Sequence, residues 1–165
     1  MATDNNQYLG NPLLKKANVP VEFTKEQIQE YQKCMEDPVH FIQEHMKIVS
    51  LDEGLVPFKM YDFQQNMVKT FHDNRFTICK LPRQSGKSTT IIAYLLHYVL
   101  FNPNVNVAIL ANKSSTARDI LGRLQLGYEN LPKWLQQGVI SWNKGSLDLE
   151  NGSSILAAST SASAI

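Results

Sequence analysis

The chain has 165 residues, 43% hydrophobic and 19% charged, with 8 Gly and 7 Pro, which excludes a collagen-like, low-complexity or disordered chain and fits one globular domain with a core of its own. Its 16 Lys+Arg stand against 15 Asp+Glu for a net charge of +1, which argues against a protein that works mainly by coating nucleic acid while leaving room for a local basic patch. Two distant cysteines, Cys34 and Cys79, argue against a disulfide framework and a Cys-based metal site, and no apolar run approaches the roughly 20 residues that span a bilayer.

Residues 1–20 read as an irregular lead-in, with Gly10, Asn11, Pro12 and Pro20 as breakers. Thr24-Lys-Glu-Gln27 reads as a capping box that opens a helix with Ile28, Tyr31 and Met35 on one face. Asp37-Pro38 restarts the chain as an N-cap followed by proline at the first helical position, with Phe41, Ile42, His45 and Met46 on the buried side. These two helices make an expected small helical subdomain over residues 21–58, closed by a turn at Leu51–Gly54 between two short extended segments. A third helix is expected from Asp62 to about Asp73. Arg75–Lys80 then reads as a short strand, Leu81–Ser85 as a loop, and Gly86–Leu100 as a helix with Ile91, Ile92, Leu95, Leu96 and Val99 at helical spacing. Val105–Leu110 is a second strand, and Ser114 would cap a helix carrying Ala117, Ile120, Leu121 and Leu124. This alternation implies a parallel sheet with right-handed crossovers. Val139–Trp142 and Ser146–Leu149 flank a hairpin turn. Asn151-Gly152 predicts a type I′ turn, which needs positive φ at both central residues, and leads into a returning strand, Ser153–Ala158.

The residues that carry chemistry are Arg83-Gln84-Ser85-Gly86-Lys87-Ser88-Thr89. The phosphate-loop pattern G-x-x-x-x-G-K-[ST] is incomplete, since Leu81 holds its first glycine position. Gly-Lys-Ser-Thr nevertheless sits between an expected strand and an expected helix, the context that the motif demands. Backbone N–H groups of Gln84 to Ser88 would line a concavity at a helix N-terminus, an anion site. Lys87 would reach the β- and γ-phosphates of a nucleotide, Gly86 would allow close backbone approach, and the Ser88 hydroxyl would complete a Mg²⁺ shell. Arg83 is close enough to reach the γ-phosphate in cis, and is otherwise a solvated or phosphate-positioning arginine. Gln64, in Asp62-Phe-Gln64, has an amide that matches the adenine N6/N7 edge, and is otherwise a surface glutamine. His40, His45, His72 and His97 show no metal spacing that also recruits a carboxylate.

Arg-Gln-x-Gly-Lys-Ser-Thr with Asp-Phe-Gln upstream resembles the ATPase domain of the terminase large subunit of tailed bacteriophages, closest to its contractile-tailed branch. Trp142-Asn-Lys-Gly-Ser-Leu-Asp-Leu-Glu-Asn-Gly-Ser-Ser-Ile155 resembles the stretch that this family carries after its phosphate loop. The resemblance implies a motor that hydrolyses ATP with Mg²⁺ to drive duplex DNA through a portal into a procapsid. Its partners would be double-stranded DNA, the portal protein, the small terminase subunit and, in a ring, further copies of itself. It would act in the host cytoplasm, transiently at the portal vertex. By the same resemblance, Arg83 would be the arginine finger and Gln64 the adenine-reading glutamine, beside the Lys87 and Ser88 roles already given; Gln84, Ser85 and Thr89 complete the motif, Gln84 by backbone contact.

The implied fold is a three-layer P-loop NTPase of the additional-strand, helicase-like kind over residues 59–165. No apolar strand after the loop ends in an acidic pair, so the family's Walker B strand and nuclease carboxylates would lie beyond Ile165, and this chain reads as the N-terminal piece. A helicase-like ATPase fragment and a non-catalytic product that binds nucleotide or a packaging partner are the competing readings.

Overall fold

The computed structural model describes residues 6–50 and 52–160. Within the lead-in that the sequence pointed to as irregular, of which residues 1–5 lie outside the described ones, β1 (Gln7–Tyr8) and β2 (Asn11–Lys15) form a small antiparallel hairpin. α1 (Lys25–Glu36) starts with the expected box: the Gln27 N–H donates to Thr24 Oγ1 at 3.2 Å and the Thr24 N–H donates to Gln27 Oε1 at 3.0 Å. α2 (Pro38–His45) follows at once, with Asp37 accepting from the Val39 N–H. The buried side of α1 differs from expectation. Cys34 is its one fully buried residue, whereas Ile28 and Met35 stay 47% and 43% exposed on the wall of an open groove shared with Phe23 and Trp134.

β3 (Lys47–Ser50) and β4 (Gly54–Pro57) pair antiparallel as the turn chemistry required. α3 (Asp62–Asp73) then buries Gln64, Met67 and Val68. Its first departure from the apolar pattern is instructive: a glutamine is inside, at 3% exposure, while Phe63 stays outside and stacks on Tyr61. α4 (Lys87–Phe101) is the central helix, with Ile92, Ala93, Leu96, Val99 and Leu100 in the core. β5 (Asn106–Ala111) and α5 (Ser114–Glu129) follow. Ser114 is the first helical residue rather than the cap, a position taken by Lys113 without a side-chain bond.

β6 (Val139–Trp142), β7 (Ser146–Leu149) and β8 (Ser154–Ser159) complete a four-stranded sheet ordered β5-β8-β7-β6. Only β5 and β8 run parallel; β7 pairs antiparallel with both β8 and β6. The result is a small mixed α/β domain: the C-terminal hairpins pair antiparallel as expected, and the parallel part, expected as a central sheet, is the β5–β8 pair. Hairpin turns keep consecutive strands antiparallel, and the single crossover through α5 and β6–β7 supplies the one parallel pair. The turn into β8 is also of another type. Gly152 alone has positive φ, at 81°, and its N–H donates to Leu149 O, so Glu150 and Asn151 are the central residues of the turn and the glycine follows it.

The largest difference concerns Arg75–Lys80. The segment has no regular secondary structure, bends at Arg75 and Phe76, and among the described residues its backbone pairs with no strand. Phe76 and Ile78 are 83% and 97% exposed, while Thr77 and Cys79 line a cavity of about 470 Å³ against Ile91, Tyr94 and Leu95 of α4. The sequence alternates in twos as a strand's does, but the segment forms no hydrogen-bond ladder with a described strand. One cluster of buried side chains joins α1, α2, α4, α5 and the sheet, with Phe41, Leu96, Leu124, Tyr128 and Leu147 at its centre.

Candidate phosphate-binding site

Gly86 and Gln84 shape the loop. Gly86 is the N-cap of α4 with φ 74°, and Gln84 is also left-handed at φ 61°. The left-handed region disfavours Cβ-bearing residues, so the loop holds strain at Gln84 and needs glycine at 86. It needs it twice over, because a Cβ at Gly86 would stand 2.5 Å from Gln64 Nε2. Thr90 then locks the first turn: its N–H and its Oγ1 both donate to Gly86 O, at 3.0 and 3.1 Å.

Gln64 lies directly beneath the loop. As the third residue of α3 it reaches back to accept the Tyr61 N–H at 2.9 Å, which turns its Nε2 toward Ser85 O at 3.4 Å. Both ends of the amide are thus engaged inside the chain, and reading an adenine edge would require Nε2 to release Ser85. The structure places this glutamine as a brace between the start of α3 and the loop.

Lys87 folds back over the same loop. Its Nζ donates to Pro82 O at 3.1 Å, and Ser85 Oγ donates to that carbonyl at 3.0 Å. No side chain caps α4, so the helix presents its first N–H groups, those of Lys87, Ser88 and Thr89, as donors without intrahelical partners. With the dipole of a 15-residue helix behind them, they form an anion-attracting end. Arg83, Gln84 and Ser88 are exposed on its outer side, Ser85 and Lys87 are half-buried, and Thr89 lines a cavity of about 420 Å³ with Arg123 and Ile92. Gln64, Ser85, Gly86 and Lys87 are therefore brought into one network, and Arg83 and Ser88 stand at its rim.

The opposite end of α4 is held by the Asn151-Gly-Ser153 turn. Asn151 Nδ2 donates to Val99 O at 2.8 Å and more weakly to Leu100 O, and Ser153 Oγ donates to Asn102 O at 2.7 Å. Glu150 of the same turn accepts from Gly138 N–H, Asn18 N–H and Lys15 Nζ. Burial works against its charge, but those three donors outweigh it and hold its carboxyl below the ordinary range.

A second polar cluster was not legible in the sequence. Glu30 Oε1 receives His40 Nε2 at 2.7 Å, His45 Nε2 at 2.9 Å and Cys34 Sγ at 3.6 Å. Two of the four histidines, His40 and His45, do recruit a carboxylate, contrary to the reading from spacing, because the donors lie on two helices whose reversal at Asp37 brings them together. The signal available was Glu30 and Cys34 at i and i+4 on one helix face.

The sequence model of one family, described as terminase large subunit, T4likevirus-type, N-terminal, matches residues 78–164. That span runs from the open segment before the candidate phosphate loop through the turn that holds the far end of α4. It covers just over half of the chain, and this chain belongs to that terminase large-subunit family.

Proposed function

We propose that this chain is the nucleotide-binding part of an ATP-driven viral DNA-packaging motor, built on a P-loop NTPase core of the additional-strand kind. The observation that supports it most is Lys87, in the first turn of an uncapped helix, resting its ammonium on a loop carbonyl at 3.1 Å. A lysine paired with a neutral carbonyl gains when an anionic oxygen takes that place, since charge-assisted bonds are about twice as strong. On binding, Lys87 exchanges Pro82 O for β- and γ-phosphate oxygens, and the N–H groups of Lys87, Ser88 and Thr89 turn to the same anion. The exposed Ser88 hydroxyl is free to join a Mg²⁺ shell, Arg83 approaches the γ-phosphate from the rim, and Gln64 keeps Ser85 and Gly86 in place. ATP with its Mg²⁺ supplies the phosphoryl group whose release powers movement. Duplex DNA, a portal, the small subunit and sister copies in a ring are the partners this reading carries with it, at a procapsid vertex in the host cell. No helix among the described residues is long and apolar enough to cross a membrane.

The test is ATP binding and turnover by this chain beside a Lys87→Ala variant. The variant is expected to bind roughly 10–100-fold more weakly, the worth of a charge-assisted contact. Turnover by this chain alone is expected to be negligible, since among the described residues no strand after the loop ends in the acidic pair that orders Mg²⁺ and water. Equal ATP affinity in the two proteins would overturn the reading.

A further inference from the structure

The helical hairpin α1–α2 lies outside the family match and away from the phosphate loop. Helical spacing places Glu30 and Cys34 one turn apart on α1, and Asp37-Pro38 reverses the chain so that His40 and His45 of α2 come back over them. His40, His45 and Cys34 all aim their donor atoms at one oxygen, Glu30 Oε1. A carboxylate oxygen has two lone pairs, so three donors on Oε1 oversubscribe it. The same convergence gathers a thiol, an imidazole and a carboxylate, three metal-ligand types, around one point. The ligand atoms of Glu30, Cys34 and His45 lie within 4.8 Å of one another, while the donors around a tetrahedral zinc stand roughly 3.3–3.7 Å apart. Closing the difference takes side-chain adjustments of about an ångström or less.

From this geometry we infer that Glu30, Cys34 and His45 form a zinc-binding site that staples α1 to α2. A thiolate, an imidazole and a carboxylate form a borderline-soft donor set, which selects Zn²⁺ over the hard Mg²⁺ of a nucleotide site. Zinc displaces the Cys34 thiol proton to solvent and takes Glu30 Oε1 and His45 Nε2 as further ligands, with water in the fourth position. His40 keeps its 2.7 Å bond to the carboxylate and orients it. The surroundings hold the ligands in place. His97 Nε2 donates to Cys34 O at 2.8 Å and fixes the backbone of the thiol residue. The Trp134 ring stands perpendicular to the His45 imidazole at 5.8 Å and limits its swing. Cys34 is fully buried, but Glu30 and His40 are about a quarter to a third exposed, which leaves an entry path.

The experiment uses the untagged full chain, stripped with a chelator and titrated with Zn²⁺ against a chromophoric competitor, then with Co²⁺. One equivalent of Zn²⁺ is expected to bind, and Co²⁺ to give intense tetrahedral d–d bands with a thiolate charge-transfer band in the near ultraviolet. Cys34→Ser is expected to abolish that band. Because Cys34 is buried, the partly exposed His45→Gln serves as the second variant, read only with an unchanged far-ultraviolet spectrum. It is expected to lose more than about 100-fold in Zn²⁺ affinity, and His40→Gln roughly 10-fold, the scale of an outer-shell partner. Zinc should also raise the thermal midpoint of the wild type and not of His45→Gln. Absence of stoichiometric binding, Co²⁺ bound without the thiolate band, or unchanged affinity in His45→Gln would each overturn the site.

Discussion

The two ends of α4 obey opposite rules. At the C-terminal end almost every orphan carbonyl is taken: Tyr98 O by the N–H and the Nδ2 of Asn102, Val99 O by Asn151, and Leu100 O by Gln137 and Asn151. At the N-terminal end no side chain caps the helix, two loop residues are left-handed, and the segment leading in pairs with no described strand. Helix ends carry four unmet groups each, and a protein that only needed stability would satisfy both sets. Leaving one end open while saturating the other separates scaffold from site within a single element.

The strongest way to break that contrast is Gly86→Ala. The left-handed φ costs an alanine about 1–2 kcal/mol, and the Cβ 2.5 Å from Gln64 Nε2 adds an overpacking cost of about 1–3 kcal/mol. The variant should lose between about 2 and 5 kcal/mol on denaturant unfolding, and ATP binding with it. Adding Gln64→Ala should return the steric part of that loss and leave the φ part. A Gly86→Ala protein as stable as wild type would mean that the loop shape is not what the glycine secures.

One atom goes against the saturation of the far half. His97 Nε2 donates to Cys34 O, but its Nδ1 is buried with no partner among the described residues. Burial holds the ring down to about 4 from its ordinary 6.5, although the Cys34 carbonyl pulls the other way. A base with a lowered folded value is protonated first in the unfolded chain. Its contribution is therefore intact above about pH 6.5, declines as pH falls through that value, and stops declining near pH 4. The full loss is about 3 kcal/mol. Urea midpoints between pH 7.5 and 4.5 should fall less steeply in His97→Gln than in the wild type, and parallel slopes would contradict the assignment.

Asn151→Ala tests the scaffold end from outside the helix. It removes the donor to Val99 O and the acceptor of the Ser153 N–H, and leaving a buried carbonyl unmet costs about 1–3 kcal/mol. Thermal stability should drop by that amount while ATP affinity per folded molecule stays unchanged. A selective loss of ATP affinity would show that the two ends of α4 are coupled rather than separate.

Much of this was legible in the sequence. The capping box at Thr24, the Asp37-Pro38 restart, and the start of α4 at Gly-Lys-Ser follow from local rules, and each residue carries its own signal there. Arg75–Lys80 and β5 show where local signals end. Both alternate as strands do, but β5 finds β8 beside it and the earlier segment finds no partner among the described residues. Pairing is non-local, so alternation identifies a strand-competent segment rather than a strand. Gln64 was singled out, but its burial was hidden for the same reason: its amide meets Ser85 O from the inner face of α3, a contact that no helical periodicity encodes. The Glu30 cluster required the α1–α2 reversal before any spacing made sense.

The smallest effect belongs to Gln84, the second left-handed residue of the loop. Gln84→Gly relieves about 1–2 kcal/mol of backbone strain and gives back roughly 0.5–1 kcal/mol through the greater freedom of the unfolded chain. The net expectation lies between no change and a gain of about 1.5 kcal/mol, read as a thermal midpoint up to roughly 6 °C higher for a domain of this size. Because the exposed Gln84 contributes its backbone N–H to the proposed anion site, glycine keeps that donor and ATP affinity should not fall by more than about twofold, well under the tenfold that 1.4 kcal/mol represents. A stabilised loop that binds ATP much less well would mean that the strain at Gln84 itself sets the shape of the open end, and that function there depends on a conformation the fold would otherwise relax.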